Sequence, residues 1–324
     1  MSGSGNVVNY SVRPNKSIER NMMSDLIACL ESVDKYRYIG LGAKYFVDFV
    51  MLHKRFGIND MICLEARNAT SCVDQFNFNK PYECINIIHK RTTELLVDSS
   101  FPWDQKESIV WFDYDDEFNR EQLDDTNRCA SKLKSMSLLF ISSNMKFASG
   151  FPKMSPTERL TTVCNVINED KYTRHLTTKD MSSNCFHKTI GSLFNLAVKN
   201  ALSQYNKKER DVNKQKCAKQ IAFFEYADSV PMMTIGWIIF SNHDKVMVDN
   251  LGFDNLPFFV PEGNDPFTIN VPPFTYKELA VLNKHMPNAS YPITEAKFIS
   301  EADIYEYNKV YRYYPTVIET GLVL

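Results

Sequence analysis

The sequence predicts an α/β protein built on a mostly parallel sheet with helices on both faces. Three observations carry that expectation. Five short apolar runs, closing at Leu41, Leu64, Ile88, Phe112 and Ser142, alternate with segments of helical periodicity. Each run is apolar almost throughout, as in strands buried on both faces. Two further apolar runs, Gln220 to Ala227 and Pro231 to Ser241, lie only a few residues apart. They read as a terminal hairpin at the far side of the sheet, which makes seven strands.

Taken in order, the chain opens with a polar segment, residues 1–34, that includes one helix. Asn15 or Ser17 is positioned to cap it, and it is expected to run to about Val33. Its basic start, with Arg13, Lys16 and Arg20, is read as a solvated helix face in preference to a lid over the following turn. The α/β domain spans 35–244. Tyr38, Ile39 and Leu41 end its first strand; Gly40 and Gly42 make a tight turn. Tyr45, Phe46, Phe49, Val50, Leu52 and His53 follow at helical spacing, and Gly57 closes that helix. Met61 to Leu64 is the second strand, and it ends on Glu65. Helices are expected over Ala69 to Phe76, from Thr92 to Leu96, and over Arg120 to Leu133 with a cap near Asn119. Strands are expected over Cys84 to Ile88, Ser108 to Phe112 and Ser137 to Ser142. Residues 145–219 form a polar helical insertion, with helices near Pro156 to Val166 and Asn184 to Tyr205. The charged run from Asn206 to Lys219 reads as a solvated loop or helix end. The extension 245–324 is rich in proline and aromatics and carries helices over Thr275 to Lys284 and Ser300 to Tyr311.

Composition narrows the function classes. A net charge of -2 gives no global drive toward nucleic acid, although a local patch could still bind it. No apolar run approaches a membrane span. MSGSGNVVNYSVRPNK lacks the apolar region of a secretory leader, and MSGSG reads as a flexible leader. None of the eight cysteines forms a C-x-x-C pair, so reduced thiols in a cytoplasmic protein are expected.

The chemistry is concentrated in Tyr36 to Glu65, YRYIGLGAKYFVDFVMLHKRFGINDMICLE. Strand, glycine turn, helix, strand and acid in that order suit a nucleotide. Glycine lets backbone approach a ligand, and an acid closing the next strand accepts hydrogen bonds from ribose hydroxyls. A second constellation is Asp113-Tyr114-Asp115-Asp116 after the fourth strand. Asp113 and Asp115 share one face of an extended chain, with Asp116 turned away. His89, at the end of the third strand, is read as structural.

Five β/α units and a late hairpin resemble the class I S-adenosylmethionine-dependent methyltransferase fold over roughly residues 35–242. The wording RPNKSIERNMM, YRYIGLGAKYFVDF and IVWFDYDD is similar to bacterial proteins described as O-methyltransferases. The resemblance implies a Rossmann-like fold, S-adenosylmethionine as cofactor, and a site carried over position by position. Gly40 and Gly42 match the first two glycines of the cofactor turn, and Glu65 matches the acid on the ribose. Asp113 matches the acid beside the methyl acceptor, with Asp115 as its companion. Lys44 stands at the third glycine, and Lys90-Arg91 where members often carry an acid for the adenine amino group. Lys44 is expected beside the cofactor's carboxylate and Arg91 toward solvent. Asn144 matches the Asn of a metal-binding Asp-Asn pair, but Ser143 replaces its Asp, so no metal requirement is expected. Two rival readings stand beside an enzyme with an unknown acceptor. One is a non-catalytic nucleotide- or phosphate-binding protein that uses Lys44, Lys90 and Arg91. The other is a structural partner that docks a protein through its aromatic tail.

Overall fold

The computed structural model describes residues 13–67, 69–147, 151–182, 185–272 and 274–315. The leader expected at residues 1–5 lies outside them. Among the described residues eight strands form one sheet in the order β3-β2-β1-β4-β5-β7-β6-β8. β1 (Arg37–Leu41), β2 (Asp60–Leu64), β3 (Ile85–Ile88), β4 (Ser108–Glu117) and β5 (Ser137–Asn144) are parallel. β7 (Pro231–Ser241) runs antiparallel to β5 and forms the expected hairpin with β6 (Lys216–Ala227). β8 (Phe267–Ile269) is an eighth strand, not expected from the sequence, which pairs with Phe224–Tyr226. Three residues bounded by Pro266 and Pro272 are too few to show a period.

Period-two alternation sends each strand's side chains to two cores. Tyr38, Ile109 and Trp111 join one, and Ile39, Val110 and Phe112 the other. The first core is closed by α1 (Pro14–Ala28), α2 (Val47–Phe56), α3 (Thr70–Asn79) and the chain beyond residue 244. That last stretch includes α9 (Lys245–Asn250), α10 (Tyr276–His285) and α11 (Glu301–Val310). The second is closed by α4 (Thr92–Val97), α5 (Arg120–Lys132), α6 (Pro156–Ile167), α7 (Asp170–Thr173) and α8 (Phe186–Asn206). From the aromatic tail, Phe253, Phe258, Tyr307 and Tyr313 are buried, while Tyr276, Tyr291, Phe298 and Tyr305 are exposed. Among the described residues no helix is long and apolar enough to cross a membrane. All eight cysteines carry free thiols.

Two expectations about solvated charge are corrected. The first concerns α1, which ends at Ala28 and starts on Pro14. Neither Asn15 nor Ser17 caps it. Asp228, in the β6–β7 turn, accepts from the backbone N–H groups of Asn15 and Lys16 at 3.1 and 3.0 Å. A cap borrowed from another element leaves no local signature. Asn15, Lys16, Glu19 and Arg20 on this helix are buried, not solvated. The second concerns Lys216, inside the charged run but in fact the first residue of β6. Its Nζ donates to the Ser131 and Leu133 carbonyls at 3.0 and 2.6 Å, and so closes the end of α5. Burial pushes its ammonium down to about 8.

Candidate active site

A cleft of about 450 Å³ opens at the C-terminal ends of β1, β2 and β4 and is floored by Leu41, Leu64 and Asp113. β1 lies between β2 and β4, so the chain leaves the two central strands, β1 and β4, in opposite directions. Ligands of open α/β sheets bind in the crevice at that switch point. Of the residues read from the sequence, Gly42, Glu65, Arg91, Asp113 and Asp115 line this cleft together, with Asp116 beside them. Gly40 and Lys44 are not among its lining residues.

Of the two glycines, Gly42 lines the cleft and Gly40 does not, and both are closely packed. Gly40 is inside β1, and neither Gly40 nor Gly42 is among the positive-φ residues. A Cβ on Gly40 would fall 2.5 Å from the Tyr38 hydroxyl, and one on Gly42 would fall 2.0 Å from Cys63 Sγ. Neither position needs a positive φ, and a Cβ at either would require Tyr38 or Cys63 to shift. Cys63 stands on the neighbouring strand, paired with Gly40. Lys44 does not start the next helix. α2 begins at Val47, after Phe46 in the left-handed region at φ 50°, and Lys44 Nζ lies 5.0 Å from the Tyr45 ring centre. Gly57 does close α2, at φ 71° with its N–H on the His53 carbonyl.

Glu65 follows β2 directly and is only 6% exposed. Arg67 chelates it, with Nε on Oε1 at 2.9 Å and Nη2 on Oε2 at 2.8 Å. Asp113 continues β4 beyond the expected end at Phe112. The strand reaches Glu117, with a register shift between Asp113 and Glu117. All three aspartates therefore reach the cleft, although simple alternation would turn Asp116 away.

Behind Asp113 lies an ion network that the sequence does not announce. Lys16 Nζ sits 3.0 Å from Asp113 Oδ2, 3.1 Å from Asp113 Oδ1 and 3.0 Å from Glu19 Oε2. It also donates to the Tyr226 hydroxyl at 3.0 Å and lies over the Trp111 ring. Burial alone would lower the Lys16 ammonium, but the attraction of Asp113 and Glu19 outweighs it and holds the group well above its ordinary value. Thr234 donates its hydroxyl proton to Glu19, so Ser142 must donate to Thr234, and Trp111 Nε1 donates to Ser142. Arg20 pairs with Asp48 at the cleft edge.

At the other side, Asp125 of α5 is 1% exposed. It accepts from the Tyr114 hydroxyl at 3.0 Å and from Thr93 at 3.1 Å. Burial raises its carboxyl to about 6, from an ordinary value of 3.8. The folded chain therefore holds a proton that the unfolded chain has released, and stability falls as pH rises from about 4 to about 6. Asn at 125 keeps an acceptor and removes the buried charge. Each pH unit between the folded and unfolded values is worth about 1.4 kcal/mol at most. Asp125→Asn is accordingly expected to raise stability at pH 7 by about 1–2 kcal/mol, with no gain at pH 4. Urea melts at the two pH values test this; a variant less stable at pH 7 contradicts it.

Lys90 is tied to Asp98 at 2.8 Å, and Arg91, exposed, is the residue just before α4. Ser143 is buried and donates to Gln122, and Asn144 Nδ2 donates to the Asp115 carbonyl. Both side chains are thus engaged in hydrogen bonds at the C-terminal end of β5. His89 holds the Arg67 carbonyl through Nδ1 at 3.0 Å.

No curated protein matches the chain. Two solved structures illustrate its likeness to others. One is described as "a putative sarcosine dimethylglycine methyltransferase from Galdieria sulphuraria". It has 12% identity and a TM-score of 0.35, with 68% of this chain and 84% of that one covered. The other is the methyltransferase domain of "bacterial-CtHen1-C", at 11% identity and a TM-score of 0.37, with 69% and 100% covered. These scores are too low to support a functional comparison. A family model described as "Putative O-methyltransferase" matches residues 8–322, nearly the whole sequence, and the chain belongs to that family.

Proposed function

We propose that this chain is an S-adenosylmethionine-dependent methyltransferase that acts on an oxygen of its acceptor. One observation carries the reading: the acid closing β2, Glu65, and the acid on β4, Asp113, line a single cleft at the switch point. The charge balance supports a cationic ligand over a polyphosphate. Seven carboxylates line the cleft against four cations: Arg20, Arg67, Lys90 and Arg91. Three of those cations are paired, with Asp48, Glu65 and Asp98. An excess of carboxylates attracts a sulfonium and repels phosphates. The volume suits a ligand of nucleoside size.

Bound there, S-adenosylmethionine supplies a methyl group on a positively charged sulfur. Glu65 accepts from the ribose hydroxyls. Asp113, gripped from behind by Lys16, would accept from the acceptor hydroxyl and hold it in the cleft. Asp115 and Asp116 extend the acidic lining toward solvent. The proton released by the hydroxyl leaves through Asp113 or to water.

Titration calorimetry tests the reading. S-adenosylhomocysteine is expected to bind at one site per chain, and ATP to give no heat of binding. Binding of ATP without S-adenosylhomocysteine would replace it with the phosphate-ligand reading.

A further inference from the structure

The carboxylate read as the ribose acceptor is engaged at both oxygens by one neighbour. Glu65 Oε1 accepts from both the backbone N–H and Nε of Arg67, each at 2.9 Å, and Oε2 accepts from Nη2 at 2.8 Å. A carboxylate offers about four lone-pair sites, and three are taken. Two ribose hydroxyls that need one oxygen each cannot be served while the guanidinium stays.

The backbone of Arg67 is held on both sides, and its side chain is partly exposed. Its N–H is held by Glu65 and its carbonyl by His89. The Arg67 side chain is one-third exposed, lines the cleft, and rests over the Phe76 ring with 5.2 Å to the centre. A rigid hinge with a long charged arm across the ligand seat is a competitor for that seat.

We propose that Arg67 sets the affinity and selectivity of the cofactor site by occupying Glu65 until a ligand with adjacent hydroxyls displaces it. The inference rests on the reading of Glu65 as the ribose acceptor. If Arg67 closes the seat in about nine molecules of ten, the observed affinity is about a tenth of the intrinsic one. Removing the arm then tightens binding, the reverse of what removing a ligand contact does.

Arg67→Ala and Arg67→Lys are compared with the parent by calorimetry, with S-adenosylhomocysteine and with adenosine. Adenosine is uncharged, so its salt response reports on the Arg67–Glu65 pair rather than on ligand charge. The alanine variant is expected to bind both ligands about tenfold tighter. The lysine variant, which cannot grip both oxygens, is expected in between. Raising salt from about 0.05 to about 0.5 M is expected to strengthen adenosine binding to the parent but not to the alanine variant. Binding by the alanine variant alone would also support the proposal. Unchanged or weaker binding in that variant, with the parent binding normally, overturns it and leaves the cofactor reading intact. No binding by either protein overturns both.

Discussion

Glu65→Ala is expected to weaken S-adenosylhomocysteine binding at least tenfold while the fold is retained. The carboxylate stands at the C-terminal end of β2, in a cleft bounded by β1 and β4, and is 6% exposed. Each hydrogen bond from a ribose hydroxyl to a carboxylate is worth about 1.5–3 kcal/mol. Two such bonds exceed the tenfold threshold even after Arg67 has been displaced. The same substitution also removes the partner of Arg67, so the loss of the ribose acceptor and the loss of the competitor occur together. A double-mutant cycle separates the two effects. In the Arg67→Ala background, Glu65 meets the hydroxyls without competition, and its removal is expected to cost more than in the parent. Calorimetry on the four proteins provides the cycle. A folded Glu65→Ala protein of unchanged affinity would remove Glu65 from the cofactor site.

What could be read from the sequence divides by the distance over which each feature is determined. Strand positions were legible because a strand buried on both faces must be apolar at every position, a purely local pattern. That placed Leu64 before Glu65 and Phe112 before Asp113, and the ends of adjacent parallel strands lie close together. The need for glycine at 40 and 42 was legible too, but not its cause. Tyr38 is two residues away on the same strand, and Cys63 reaches Gly42 across the pairing of β1 with β2. Arg67 and Asp125 escaped because a solvated arginine and one paired across a cleft look the same in a sequence, as do a helix-face aspartate and a cleft aspartate. The largest correction is the burial of the polar face of α1. Lys16, Glu19 and Arg20 fall at the i, i+3, i+4 spacing of one helix face, which usually marks a solvated stripe. Asp113 is 97 positions from Lys16, and Thr234 is 215 from Glu19. A signal was present in Ile18, Met22, Met23, Leu26 and Ile27, which leave little of this helix for water.

The burial of that polar face sets the second large effect. Lys16→Met is expected to destabilise the protein by about 3–5 kcal/mol at pH 7, the cost of breaking a buried ion pair by removing one partner. Lys16 is 4% exposed and Glu19 fully buried, and Asp113 on the other side of the ammonium is largely enclosed. Methionine fills similar volume beside Trp111 but leaves two carboxylates facing each other without the ammonium that bridged them, and Arg20, already paired with Asp48, is the cation that remains nearby. Glu19 is already raised by burial, against the pull of Lys16. Without that pull, the folded variant takes up protons that the unfolded chain lacks, so its stability must fall as pH rises. The gap between parent and variant is therefore expected to be widest at pH 7–8 and to narrow toward pH 5. Lys16→Met with Glu19→Gln removes one of the stranded charges, and Gln can still accept from Thr234, so part of the loss should return. Denaturant melts at pH 5 and pH 7.5 on the three proteins provide the comparison. A single variant within about 1 kcal/mol of the parent at pH 7.5 would mean that α1 is held by its apolar face alone. Asp113 would then stand in the cleft without a counter-charge that matters.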